Sequence, residues 1–169
     1  MTRALLVLAV AASLALPACG GPATVPATAA CPASDRHTAV SARPGARHQI
    51  VPPGASAVLL CRYSGLNTPS GDFRLTVTAR VHDSATVARL ARELDALAPT
   101  RAVYHCPIDT AAGIVARFTY TAGLQNPVTI DLTGCNPVTN GHLQRSAGVT
   151  AAGRRLVGAL ARMTTRFAG

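Results

Sequence analysis

The sequence predicts an α+β two-layer sandwich: a mainly antiparallel sheet of about four strands, two helices on one of its faces, and two disulfides. Three observations carry that expectation. Four segments have the apolar runs or alternation of strands, two have apolar residues recurring every three or four positions, and the cysteines form an even set once Cys19 is set aside.

The first strand is residues 57–63, an apolar run bounded by Pro52-Pro53-Gly54 and Ser64-Gly65. The second is residues 73–81, where Phe73, Leu75, Val77, Ala79 and Val81 face one way and Arg74, Thr76, Thr78 and Arg80 the other. Asp83 or Ser84 then caps a helix running to about Ala98, where Pro99 stops it. Val87, Leu90, Leu94 and Leu97 fall on its inner face, with Arg89, Arg92, Glu93 and Asp95 largely off it. Residues 114–121 alternate with Ile114, Ala116, Phe118 and Tyr120 inward, and Val128, Ile130 and Leu132 do the same after a turn-prone stretch, which predicts an antiparallel hairpin. Asp131 faces outward on that hairpin, where Arg117 is its expected partner. Thr133-Gly134-Cys135 and Thr139-Asn140-Gly141-His142 read as turns, with Asn140-Gly141 suited to positive φ. A second helix is expected over 149–165, its stripe made by Val149, Ala152, Leu156, Leu160, Met163 and Phe167. Gly153 and Gly158 each weaken that helix by about 1 kcal/mol relative to Ala.

Length and composition bound the rest. A chain of 169 residues, 49% hydrophobic and 14% charged, holds one domain and a targeting segment, which excludes two full domains and a disordered chain. All 16 basic residues are Arg, and against 7 acids they give a net charge of +9, so a charged partner is expected to be anionic. The lack of Lys and Trp in an Ala-, Arg- and Gly-heavy chain also fits a high-GC genome.

Arg3 followed by the apolar stretch 4–16 has the form of a signal peptide, too short to span a bilayer. It ends in Leu16-Pro17-Ala18-Cys19-Gly20, which resembles a bacterial lipobox, with Pro17 an unusual occupant of its position. The resemblance implies cleavage before Cys19 and a thioether-linked diacylglycerol on it, hence an acylated, palmitate-type lipoprotein on the extracytoplasmic face of the cell membrane. The expected division is 1–18 signal peptide, 19–50 lipidated Cys and flexible tether, and 51–169 a single α+β domain; the Gly-, Pro-, Ala- and Thr-rich start of the tether lacks the bulk to order itself. With Cys19 lipidated, Cys31, Cys61, Cys106 and Cys135 remain, and in an exported protein they read as two disulfides. Three pairings are open. Cys31 with Cys61 and Cys106 with Cys135 is favoured, because the first fastens the N-terminal arm to strand one and the second ties the two ends of the hairpin, each worth about 3 to 4 kcal/mol.

Candidate chemistry is sparse. No spacing of Cys and His argues for a metal, no cofactor motif is present, and no nucleophile elbow or S-x-x-K pattern supports an enzyme. Tyr104-His105-Cys106-Pro107 sets a His beside a Cys, but adjacent residues on an extended segment point apart and an exported Cys with a partner oxidises. Arg154, Arg155, Arg162 and Arg166 on the last helix form a cationic stripe able to meet an anionic envelope polymer or lipid headgroups. No nucleic-acid partner is expected, since export and the lack of interleaved aromatics both argue against one.

Two resemblances add to this reading. Cys106-Pro107, Gly113, Phe118-Thr119-Tyr120, Gly123, Val128, Asp131-Leu132-Thr133-Gly134-Cys135 and Val138-Thr139-Asn140-Gly141 together resemble a pattern in uncharacterised exported proteins and lipoproteins of actinobacteria. That family carries no assigned activity. The strand ending in Cys61, the helix with Leu94-Asp95-Ala96-Leu97, Cys106-Pro107 and Cys135 also resemble the Streptomyces subtilisin inhibitor family, which blocks serine proteases with a rigid loop. This second resemblance implies an inhibitor loop with Ile108 and Asp109 flanking the scissile bond, although Asp109 is a poor residue there and the first disulfide has to draw Cys31 from the tether side. The leading expectation is a membrane-anchored, non-catalytic binding or structural module of the cell envelope, acting on an anionic polymer or another exported protein; the alternative is a protease inhibitor.

Overall fold

The alternating segment that carries Ile114, Ala116, Phe118 and Tyr120 lies at the heart of a seven-stranded, wholly antiparallel sheet. The computed structural model describes residues 30–69, 71–100, 106–121, 123 and 125–165, so the signal segment, Cys19, His105, Arg166 and Phe167 lie outside the described residues. In chain order the elements are β1 (Ala55–Tyr63), β2 (Leu75–Val81), α1 (Ser84–Asp95), β3 (Ala98–Pro99), β4 (Gly113–Tyr120), β5 (Gln125–Asp131), β6 (Pro137–Thr139), β7 (Gln144–Ser146) and α2 (Ala151–Met163). The strand order is β2-β1-β4-β5-β6-β7-β3.

The expected α+β class and both disulfides are present, but the sheet has seven strands rather than about four. The extra three are two or three residues long, too short to display a period of two. Two of them flank the Asn140-Gly141 turn, where Gly141 has φ +86°. The third uses Ala98 and Pro99, because α1 stops at Asp95, whose carboxylate accepts the Val51 amide at 3.1 Å.

Both helices pack on one face. Val87, Leu90 and Leu94 of α1 and Leu156, Val157 and Leu160 of α2 share a core with Val58, Leu60, Ile114, Ala116, Phe118, Val128 and Ile130. At about 25 cal/mol per Å² of apolar surface, such burial supplies the main driving force of folding. Asp83 caps α1 through its carboxylate to the Thr86 amide at 2.8 Å, and Thr150 caps α2 through its hydroxyl to the Gly153 amide at 3.0 Å. Gly153 is not the simple helix weakness its propensity suggests: a Cβ there would run into the backbone of Ala147.

The opposite face carries a smaller cluster of Leu59, Cys61, Tyr63 and Val115, with Cys31 and Leu75 against it. Leu75 is therefore not on the same face as Ala79 and Val81, as uninterrupted alternation would have it. The β1–β2 register shifts between Arg62 and Tyr63, which sets Leu75 opposite Tyr63. An N-terminal arm covers this face. Cys31 is disulfide-bonded to Cys61, Ser34 bridges Arg74, the Tyr63 hydroxyl donates to the Pro32 carbonyl at 3.1 Å, and Asp35 pairs with Arg117 at 3.3 Å. The described part of the 19–50 stretch is thus fastened to the sheet, and Ile50 is fully buried. Isolated polar anchors of this kind leave no periodic trace in a sequence.

Asn140 makes the tightest of these attachments. It is fully buried; its amide nitrogen donates to the carbonyls of Ala46, Gln49 and Ile50 at 2.8 to 3.2 Å, and its oxygen accepts the amides of His142 and Leu143 at 3.0 Å each.

Candidate functional site

The outer surfaces of α1 and α2 enclose an open groove of about 390 Å³. Leu97, Leu156 and Ala159 contribute its apolar lining, and Arg89, Glu93, Arg155 and Arg162 its charges. The helical repeat explains the charges: Arg155 and Arg162 are seven residues apart, two turns and about 10 Å along one face. Arg89 is held by Glu93 one turn on, at 3.2 Å to both carboxylate oxygens, an exposed pair worth a few tenths of a kcal/mol. Among the described residues Arg155 and Arg162 take part in no ion pair.

The four arginines singled out in the sequence are thus divided. Arg155 and Arg162 line the groove, whereas Arg154 donates to the Gly148 carbonyl at 2.8 Å, a contact that braces the start of α2. Arg166 lies outside the described residues. The contribution of α1 to the groove was not anticipated; the Arg89 and Glu93 spacing of four was its visible signal.

The loop after Cys106 is a second feature. Ile108 is 88% exposed. Cys106 is tied to Cys135 across 5.0 Å between Cα atoms, and on the other side of Ile108 the Asp109 carboxylate accepts the Thr133 hydroxyl and the Ala111 amide, both at 2.8 Å. The Thr110 amide donates to the Thr133 hydroxyl at 3.0 Å, and Thr110 accepts the Leu66 amide at 2.7 Å. An apolar side chain is thereby presented on a loop braced at both ends. The disulfide also removes Cys106 from any role as a thiolate.

The third feature lies under the arm. The sequence places Asp131 with Arg117, but Asp131 sits opposite Gly113 while Arg117 sits opposite Pro127, too far along the hairpin to meet it. Asp35 takes Arg117 instead, and Asp131 faces His37 at 3.8 Å. His37 adopts φ +60° and lies edge-on to Tyr63 and Phe73, with Gly113 so close that a Cβ there would meet the imidazole. Burial lowers the His37 pKa, while Asp35 opposes the shift. Burial, aided by the charge of Asp109, pushes Asp131 up to about 6. Burial thus shifts both groups toward their neutral forms. His82 is exposed just before α1, and His48 and His142 lie at the 41–48 turn, so among the described residues no second imidazole joins His37.

Among the described residues no group of three or more His, Cys, Asp or Glu is placed to hold a metal ion, and no helix is long and apolar enough to cross a membrane. No family model, no curated protein and no solved structure matches the chain.

Proposed function

We propose that the chain is an exported lipoprotein, anchored through Cys19, whose domain is a non-catalytic binding module of the cell envelope that engages an anionic polymer along α2. The observation that carries this reading is the pairing of Arg155 and Arg162, without ion-pair partners among the described residues, on the wall of an apolar-lined groove. Two cations spaced along one helix face match a polymer with repeated negative charges better than a compact ligand. A lipid anchor keeps the domain close to such a polymer and raises its effective concentration there. The test is co-sedimentation with purified cell-wall polymer across a salt series. Binding should fall steeply with salt and drop in a variant carrying Arg155→Gln and Arg162→Gln. Salt-independent binding, or binding indifferent to both substitutions, contradicts the reading.

One observation favours a second reading, a serine protease inhibitor. Ile108 projects into solvent between a disulfide and a hydrogen-bonded Asp109, and a pre-braced loop loses little entropy on docking into a protease cleft. Tight inhibition of a subtilisin- or trypsin-like enzyme, lost on Ile108→Gly, supports it. Failure against a broad protease panel removes it.

A further inference from the structure

The segment 41–48 reads Ser-Ala-Arg-Pro-Gly-Ala-Arg-His, three basic residues around a Pro-Gly turn. Gly45 supplies the turn with φ +90°. Hydrogen bonds from the Arg43 amide to the Ser41 hydroxyl at 3.2 Å, Ala46 to Arg43 at 3.1 Å and His48 to Gly45 at 2.9 Å make it a compact unit. The Asn140 side chain and the Ser41-to-Asn140 backbone bond at 2.9 Å fix it against the β6–β7 hairpin. Gly141 lets the two approach, since a Cβ there would strike Val40. The result is a cleft of about 410 Å³ between the turn and His142.

We propose that this cleft binds a phosphate monoester. Of the eight described residues that line it, four are basic, namely Arg43, Arg47, His48 and His142, and none is acidic. Its geometry is set in advance. The Arg43 guanidinium is held over the Tyr120 ring, 4.0 Å from its centroid. His142 Nε2 lies 2.8 Å from the Ser41 carbonyl, which can only accept, so that nitrogen carries the proton.

Charge and size choose the ligand class. Two permanent guanidinium charges suit a group carrying about −1.5 to −2 at pH 7, as a phosphate monoester does, and planar guanidinium donors match its oxygens. The volume exceeds that of one phosphate group and falls within the usual range for small-molecule sites, leaving space for the organic part of the ester. The site is independent of the α1–α2 groove, with which it shares no lining residue.

The test follows the histidine side-chain NMR signals of the full chain in neutral detergent micelles. The additions are inorganic phosphate, glycerol 3-phosphate, sodium chloride at matched ionic strength, and phosphatidylcholine vesicles with and without phosphatidic acid. Saturable shifts of His142 and His48 with a soluble monoester, absent with chloride, are expected. Affinity should fall about tenfold in Arg47→Gln and in His142→Gln, as for the loss of a charge-assisted hydrogen bond, and stay unchanged in Arg92→Gln, an exposed arginine that lines neither the cleft nor the α1–α2 groove. Arg47 is exposed, so its replacement leaves the fold intact. Binding only to phosphatidic acid, lost in the same two variants, assigns the monoester to a lipid headgroup. Equal shifts with chloride, no saturation by about 10 mM in any arm, or affinity retained in both variants overturns the proposal.

Discussion

Replacing Gly153 and Gly158 of α2 separately by Ala sets helix propensity against packing. Propensity alone makes both changes stabilising, by about 1 kcal/mol each, because Ala restricts the unfolded chain and favours the helix. The surroundings split them. At Gly158 the nearest atom to a new Cβ is the tip of Arg162 at 3.4 Å, a flexible group that can move aside, so Gly158→Ala should stabilise by about 0.5 to 1 kcal/mol. At Gly153 the new atom meets the Ala147 backbone, and that backbone cannot yield. Ala147 is fully buried, and its amide is bonded to the Asn136 carbonyl at 3.0 Å. Overpacking of this kind costs about 1 to 3 kcal/mol and, against rigid backbone, the upper part of that range or more. After the propensity gain, Gly153→Ala should still destabilise by about 2 kcal/mol. Urea denaturation followed by circular dichroism, with both disulfides oxidised and the m-value unchanged, reads the two effects with opposite sign. A Gly153→Ala protein as stable as the parent would refute the packing of α2 on Ala147.

Asp131→Asn should be more stable than the parent at pH 7. A carboxyl that titrates at about 6 when folded against an ordinary 3.8 costs the fold about 3 kcal/mol once ionised in both states. The folded form binds the extra proton between those values, so the advantage of the variant should grow from pH 4 to pH 6 and then level off. His37, whose pKa is lowered by burial, acts oppositely, removing stability as pH falls below its ordinary 6.5. A pH series of denaturation midpoints on His37→Gln and Asp131→Asn separates the two, and parallel curves for Asp131→Asn and parent would contradict the assignment. Asn140→Ala removes five hydrogen bonds from a fully buried side chain and strands their partners. It should cost about 3 kcal/mol or more and expose the His142 and Leu143 amides to hydrogen exchange, and continued protection of those amides would count against the clamp. Replacing Cys106 and Cys135 together by Ser should lower stability by about 3 kcal/mol and make the peptide bonds beside Ile108 readily cleaved by added protease.

Legibility in the sequence followed periodicity. Ile114, Ala116, Phe118 and Tyr120 alternate over enough residues to mark a buried strand face, and Leu90 and Leu94 recur at helical spacing, so the central hairpin and both helices could be read directly. Strands of two or three residues could not, because pairing rather than pattern defines them; β6 and β7 exist through their neighbours. The bulge beside Tyr63 was equally silent, and Leu75 changed face because of it. At the candidate site, Arg155 and Arg162 were visible at a spacing of seven, but their opposition to Arg89 and Glu93 depends on how α1 and α2 lie on the sheet. The partners of Asp131 and Arg117 went astray for a related reason. Both were exchanged to His37 and Asp35 by an arm whose attachment rests on single polar contacts.

The claim that joins these parts is a doubly stapled domain held at the membrane through Cys19, and intact mass spectrometry of the protein extracted from its host's membrane fraction tests it most directly. The account predicts the mass of residues 19–169 plus a diacylglyceryl group, rising by four hydrogens on reduction of the Cys31–Cys61 and Cys106–Cys135 bonds. A soluble, unacylated product cleaved at another position would contradict the anchor and turn attention to the diffusible inhibitor reading of Ile108.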